Sequence, residues 1–415
     1  MILRIMALLQ ASWELARVLA ERPRRRLPRV RSVYCRPRAA LTDDSGVTTT
    51  TFGKALPFLA TALLAVPLAA AAQDVFIRGG TLVAPGEGEE RRANLLIVDG
   101  RIAGRPAEPP AGFTGEVVDA TGRWVIPGLH DLHMHSFGNM APNGSVDMVG
   151  TDRATKLMLY CGVTGFLDLF SPEDFIFGLR DRQRAQAGAA AGADIFAAGP
   201  CITATGGHCT EYGVPTRVID SPADAKREID ELAPKRPDVV KVVFDRDGSM
   251  PTIDVATLRA AVAAAHAHGL RTVIHIGTNE WGDVHEAALA GADAVTHVPE
   301  RGVVPDDIVV AMVEAGTAII PTLAVHHDIA WWFEDPTRLR NPLVAAVTSA
   351  DLRAAFEGEP QGGFARWVRT AVELRENRHT SVRKLVAAGV PVLAGTDAGN
   401  PGTFLGYSIH RELAL

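Results

Sequence analysis

Four histidines, one lysine and one aspartate are the residues whose types and spacing suggest chemistry. His133 and His135 stand two apart in HDLHMH (130–135). On a strand that spacing aims both imidazoles at one face. Lys241 lies in DVVKVVF (238–244), His275 in RTVIHI (271–276), His297 in AVTHV (294–298), and Asp397 closes PVLAGTD (391–397). Neutral imidazoles and carboxylates suit Zn2+, and a catalytic zinc keeps one position open. Taken singly, each residue has an ordinary reading. A histidine can be a surface or hydrogen-bonded residue, an aspartate a helix cap, and a lysine a stem laid over apolar surface. Joint placement favours a metal site, because all six fall near the C-terminal ends of strand candidates.

Those strands belong to a repeating rhythm. Strand candidates close at HDLHMH, GVTGFLDL (162–169), ADIFAAG (193–199), DVVKVVF, RTVIHI, AVTHV, TAIIPTLAV (317–325) and PVLAGTD, with helical patterns between them. The clearest helix is DVATLRAAVAAAHAHG (254–269), with Asp254 placed to cap its start and Gly269 its stop. Eight such repeats predict an α/β fold, a (β/α)8 TIM-like barrel over residues 126–415. A doubly wound sheet is the alternative, but no Gly-rich dinucleotide loop follows the first strand. Residues 326–378 form a long insert after strand seven, the kind of loop that makes lids or substrate walls. His326 and His327 open it, and one of them can face the site. Upstream, VFIRGGTLV (75–83) and NLLIVDGRIAG (94–104), with the turn pair Asp99-Gly100, predict a small N-terminal β-sandwich domain over residues 73–125.

Composition narrows the rest. The chain has 415 residues, 47% hydrophobic and 22% charged, an ordinary globular balance. Four cysteines exclude a disulfide scaffold. Residues 1–46 carry ten Arg against four acids, a net of +6, so the formal −6 of the chain leaves −12 on the body. An acidic body argues against nucleic-acid binding. Residues 1–53 read as a basic, disordered extension or as sequence ahead of the true start. Residues 54–72 read as a signal peptide: Lys54, the apolar run ALPFLATALLAVPL (55–68), then Ala70-Ala71-Ala72. The run falls short of the ~20 apolar residues of a membrane span. The expectation is therefore a periplasmic or secreted protein starting at Gln73, or a cytoplasmic one if the signal is unused. Its partner would be a small-molecule substrate, with a homo-oligomer allowed.

PGLHDLHMH (127–135), VVKVVF (239–244), VIHIG (273–277), VTHVPE (295–300) and GTDAG (395–399) resemble the amidohydrolase superfamily. ITATGGHC (202–209) and PTLAV (321–325) are similar to its imidazolonepropionase-like and prolidase-like branch. The resemblance covers about residues 74–415. It implies that Lys241 is N-carboxylated and that its carbamate bridges two Zn2+ ions. It assigns His133, His135 and Asp397 to one ion and His275 and His297 to the other. A plain lysine is an ammonium with no lone pair to give, whereas a carbamate is a bidentate anion. Two metals can share a hydroxide and stabilise the developing oxyanion. Asp397 would act as general base and then general acid. The expected reaction is hydrolysis of an amide-like C–N bond, with dipeptides and N-acyl amino acids as the substrates to test.

Three further expectations concern the loop after strand three. His208 is a catalytic and substrate-contacting candidate. Tyr212 and Arg217 are candidates for binding a substrate carboxylate, against a plain loop role. Cys201 and Cys209 flank the loop and can form a disulfide in an exported protein, while Cys161 is expected in the core. Two other readings stand beside the binuclear one. The first is a one-metal deaminase or cyclic-amide, imidazolonepropionase-type hydrolase with an uncarboxylated Lys241. The second is an inactive fragment: 18 residues follow Asp397 (415 − 397), where relatives continue with a complete eighth helix and strands that finish the β-domain. On this expectation the barrel is truncated in its last helix, its β-domain is incomplete, and stability is low.

Overall fold

In the computed structural model, the residues described are 74–83, 90–186, 192–246, 250–277 and 281–415. The basic extension 1–53 and the signal 54–72 lie outside them. The N-terminal unit comprises β1 (Val75–Val83), β2 (Glu90–Val98), β3 (Arg101–Gly104), β4 (Glu116–Asp119) and β5 (Trp124–Val125). They form one sheet in the order β3-β2-β1-β4, with β5 also on β1. Asp99 and Gly100, at φ 49° and 70°, make the expected hairpin turn between β2 and β3. Phe76, Leu82, Leu95 and Leu96 are buried, whereas Ile102, Val117 and Trp124 are exposed. The expected sandwich is therefore corrected to a single sheet. Among the described residues no second layer covers its apolar outer face.

The barrel-like unit runs through β6 (Leu129–Met134), the hairpin β7 (Gly138–Met140) and β8 (Val146–Met148), β9 (Val163–Asp168), β10 (Asp194–Ala197), β11 (Ile202–Thr203), β12 (Arg217–Val218), β13 (Val239–Phe244), β14 (Arg271–Ile276), β15 (Ala294–Thr296) and β16 (Ala318–Ile320). Two parallel sheets result, β10-β9-β6 and β12-β11-β13-β14-β15-β16. Every residue of β13 is buried, as for a parallel strand covered on both faces. Val240, Val242 and Phe244 join Leu258, Ala261 and Val284 of the helices outside. Val239 joins Leu132, Val273 and Ile320 on the other face. By alternation Lys241 shares the inner face with Val239.

Among the described residues a closed eight-stranded ladder does not form. Residues 391–397 make isolated bridges in place of a strand: Leu393 N donates to Ile319 O at 2.8 Å, and Leu132 N donates to Ala394 O at 2.9 Å. The ladder fails because the backbone turns there. Asp397 has φ 57°, and the amides of Thr396 and Asp397 both donate to His133 O, at 3.1 and 2.7 Å. A second gap lies between β10 and β13, spanned by Asp238 N to Ala197 O at 2.9 Å.

The helix Val255–Ala267 starts where expected, with the Asp254 carboxylate accepting from Thr257 N at 2.7 Å. The stretch 317–325 is not one strand: β16 ends at Ile320 and a helix spans Leu323–Glu334. The insert continues with helices Pro342–Val347, Ala350–Ala354 and Gly362–Glu373. It is anchored by buried Trp332, whose Nε1 donates to Gly402 O at 2.7 Å. Among the described residues no helix is long and apolar enough to cross a membrane.

Candidate metal centre

His133 is buried next to the last residue of β6, Met134, and His135 follows the strand. Asp397 Oδ1 lies 3.3 Å from His133 Nε2 and 3.0 Å from His135 Nε2. Lys241 Nζ lies 3.5 Å from His133 Nε2. Across the site, His297 Nε2 lies 3.2 Å from His275 Nδ1, and His297 Nδ1 is hydrogen-bonded to Thr322 Oγ1 at 2.7 Å. One donor atom from each of His133, His297 and Asp397 falls within 4.8 Å of the others. All six expected ligands line one cavity of about 730 Å3.

Long-range hydrogen bonds fix these side chains. Asp131 accepts from Thr396 Oγ1 at 2.6 Å, Thr396 N at 3.0 Å and His133 N at 3.2 Å, tying β6 to the Asp397 turn. Burial pushes the Asp131 carboxyl up to about 7, against those hydrogen bonds. Asp168 accepts from Ser136 N at 3.0 Å, Ser171 Oγ at 3.0 Å and Phe170 N at 3.1 Å, pinning the loops after β6 and β9. His297, Thr322 and Asp397 sit at φ 72°, 47° and 57°. Left-handed backbone at non-glycine residues costs of order 1–3 kcal/mol each and clusters at functional sites. Asp131, Asp168, Thr322 and Thr396 were not singled out from the sequence. The i−2 position of Asp131 to His133, and Thr322 within PTLAV, were the signals available.

Burial sets the electrostatics. It holds His133 and His275 well below the usual imidazole range and takes His297 to about 3 and His326 to about 4. It also lowers Lys241. Burial alone would raise Asp397, but the His133 and His135 imidazoles override it and hold the carboxyl well below its ordinary range. The result is neutral imidazoles at His133, His275 and His297 beside a carboxylate, which is the state that binds metal. His133, His135 and His326 each keep a buried ring nitrogen without a hydrogen-bond partner. This donor set fits a metal ion of the N/O-preferring kind.

His208 stacks on His275 with ring centroids 4.5 Å apart, and its Nδ1 pairs with Glu211 Oε1 at 2.6 Å. Gly207 permits this approach, since a Cβ there would lie 2.5 Å from Thr203 Oγ1. Tyr212 also lines the cavity, 5.9 Å from the His208 ring. Arg217 does not line it. Its guanidinium is held by Glu173 at 2.8 Å, Glu228 at 2.9 Å and Glu231 at 3.5 Å, so the carboxylate-binding expectation is corrected to a brace between helices Glu173–Ala185 and Pro222–Leu232. His326 faces the cavity, whereas His327 turns to Asp328 at 3.0 Å. Cys201 and Cys209 are free thiols lining the cavity and are not bridged; Cys201 Sγ donates to Leu169 O at 4.0 Å. Cys161 is buried, as expected.

A model described as the amidohydrolase family matches residues 124–414. An uncharacterized protein of Mycobacterium tuberculosis is 28% identical over 328 residues, covering 75% of this chain and 72% of its own. A D-hydantoinase of Streptomyces coelicolor is 30% identical over 198 residues, covering 47% of this chain and 38% of that enzyme. Among solved structures, a Xaa-Pro dipeptidase with methionine bound in its active site aligns with TM-score 0.61 at 19% identity, covering 82% of this chain and 84% of that one. That likeness is one of fold, a TIM-barrel-like α/β architecture.

Proposed function

The chain belongs to the amidohydrolase family and is a hydrolase acting on carbon–nitrogen bonds; from that premise we propose that it is a binuclear zinc enzyme with an N-carboxylated Lys241. One observation carries the reading. Lys241, an amine with its charge disfavoured by burial, projects into a cavity it shares with six imidazoles, four of them the expected ligands, and Asp397. A neutral amine can attack CO2, forming the N–C bond and losing a proton to leave a carbamate anion. His133, His135 and Asp397 would hold one ion and His275 and His297 the other, with the carbamate between them. When bound, the ions supply Lewis acidity and an activated water. Asp397, held as a carboxylate, takes the proton of the attacking water and passes it to the leaving nitrogen. His208, set by Glu211 and His275, faces the substrate.

The one-metal alternative, a deaminase or cyclic-amide hydrolase with Lys241 as a free amine, draws on a different observation. Among the described residues, His133, His297 and Asp397 are the group of three whose donor atoms all lie within 4.8 Å of one another. Export through residues 54–72 belongs to the same proposal, and mass spectrometry of an exported fraction should find Gln73 as the mature start. The direct test of metal dependence is a hydrolysis screen with and without chelator. Activity lost to the chelator and restored by Zn2+ supports the proposal, and turnover indifferent to the chelator would overturn it.

A further inference from the structure

The cavity has two unlike parts. One holds the six ligand candidates. The other is apolar, built from Phe137, Met148, Phe170, Phe175, Val214 and Trp367 among others. Met148, on the β7–β8 hairpin, is 69% exposed, and Phe175 is 53% exposed. Large apolar side chains left in water at a cavity mouth mark a surface that a ligand covers.

Charge is what the cavity lacks. Among the described lining residues the only Lys or Arg is Lys241, which is committed to the ligand cluster. A dipeptide or an N-acyl amino acid carries a carboxylate, and a carboxylate taken out of water needs a paired cation. The cation that the sequence offered, Arg217, lies outside the cavity and is already held by three acids. His208 is matched by the Glu211 carboxylate.

Resting on the reading of the site as a C–N hydrolase, we propose that the substrate is an uncharged amide, carbamate or urea bearing a bulky apolar group, and not a dipeptide or N-acyl amino acid. The scissile carbonyl would sit at the metal cluster, and its aryl or branched alkyl substituent would lie against Phe170 and Trp367. Neutral hydrogen-bonding groups on the wall, Ser171, Tyr212 and Asn400, suit a polar but uncharged molecule.

The test uses the zinc-loaded full chain and matched pairs: an anilide or phenylurea against its ring-carboxylate analogue, with a dipeptide and an N-benzoyl amino acid alongside. The uncharged member should show a kcat/KM about 100-fold higher, the size expected when a buried charge goes unpaired. A ratio near one, or a preference for the carboxylate or the dipeptide, would overturn the proposal. Trp367→Ala should raise KM for the anilide about tenfold while metal content stays unchanged. Met148→Arg should raise kcat/KM for the carboxylate analogue alone. If neither pair member shows chelator-sensitive turnover, it is the hydrolase reading that fails. Calorimetric binding of the two analogues then still decides the cavity's preference, tighter for the uncharged one if the proposal holds.

Discussion

Lys241 Nζ and His133 Nε2 face each other across 3.5 Å, both buried. Two bases in contact gain little from each other, because burial disfavours the charged form of each. The arrangement becomes favourable once a cation lies between lone pairs, or once the amine is converted to an anion. The same contact therefore links a structural cost to a chemical use.

The Thr322–His297 hydrogen bond fixes which ring nitrogen faces the cluster. Thr322→Val keeps the branched shape at this left-handed position and removes the hydroxyl. Loss of such an outer partner costs about 10–100-fold in metal affinity. Chelator competition should show that loss, and an unchanged affinity would remove Thr322 from the site.

Arg217 stitches two helices and does not touch the cavity. Arg217→Met removes the partner that Glu173 and Glu228 share, leaving Glu173 to Lys235 and Glu228 to Arg227 in a partly buried place. We expect about 1–3 kcal/mol lost in denaturant unfolding with KM unaltered. A raised KM at intact stability would restore the carboxylate-binding role.

Glu412 accepts from Leu323 N at 3.1 Å and Ala324 N at 2.7 Å, satisfying the first turn of the helix that carries His326. Burial pushes its carboxyl up from its ordinary 4.5 to about 8, against those two hydrogen bonds. The folded state thus holds a proton that the unfolded state releases between those values. Its contribution is full below 4.5 and is lost as pH rises towards 8. Unfolding free energy of the unmodified chain should fall relative to Glu412→Gln across that window, on the order of 1 kcal/mol per pH unit. Parallel pH profiles would contradict this.

Cys201 and Cys209 line the same cavity and are free thiols. Alkylation after denaturation without reductant should modify Cys161, Cys201 and Cys209 alike. A product short of two alkyl groups would mean that the pair is bridged.

The candidate cluster was legible because parallel strands end at one rim, which brings His133, His135, Lys241, His275 and His297 near one another. His297 turns inward through its left-handed backbone, φ 72°, and not by alternation, since Ala294 lies on the inner face and Val295 on the outer. What could not be read depends on partners far along the chain. PVLAGTD looks like a strand, but the amides of Thr396 and Asp397 donate to Asp131 and to His133 O, more than 260 residues away. PTLAV looks like the end of strand seven, but it opens a helix whose first amides are satisfied by Glu412, 89 and 88 residues on. Arg217 looked available because its three acidic partners come from two helices that only the fold brings together.

The most direct test is metal content, measured by elemental analysis, in the unmodified chain and in Lys241→Ala. A carbamate-bridged centre predicts about two zinc ions per chain, most of them lost in Lys241→Ala and partly regained with a short carboxylate and bicarbonate. A single ion per chain, retained undiminished in Lys241→Ala, would contradict the bridged centre.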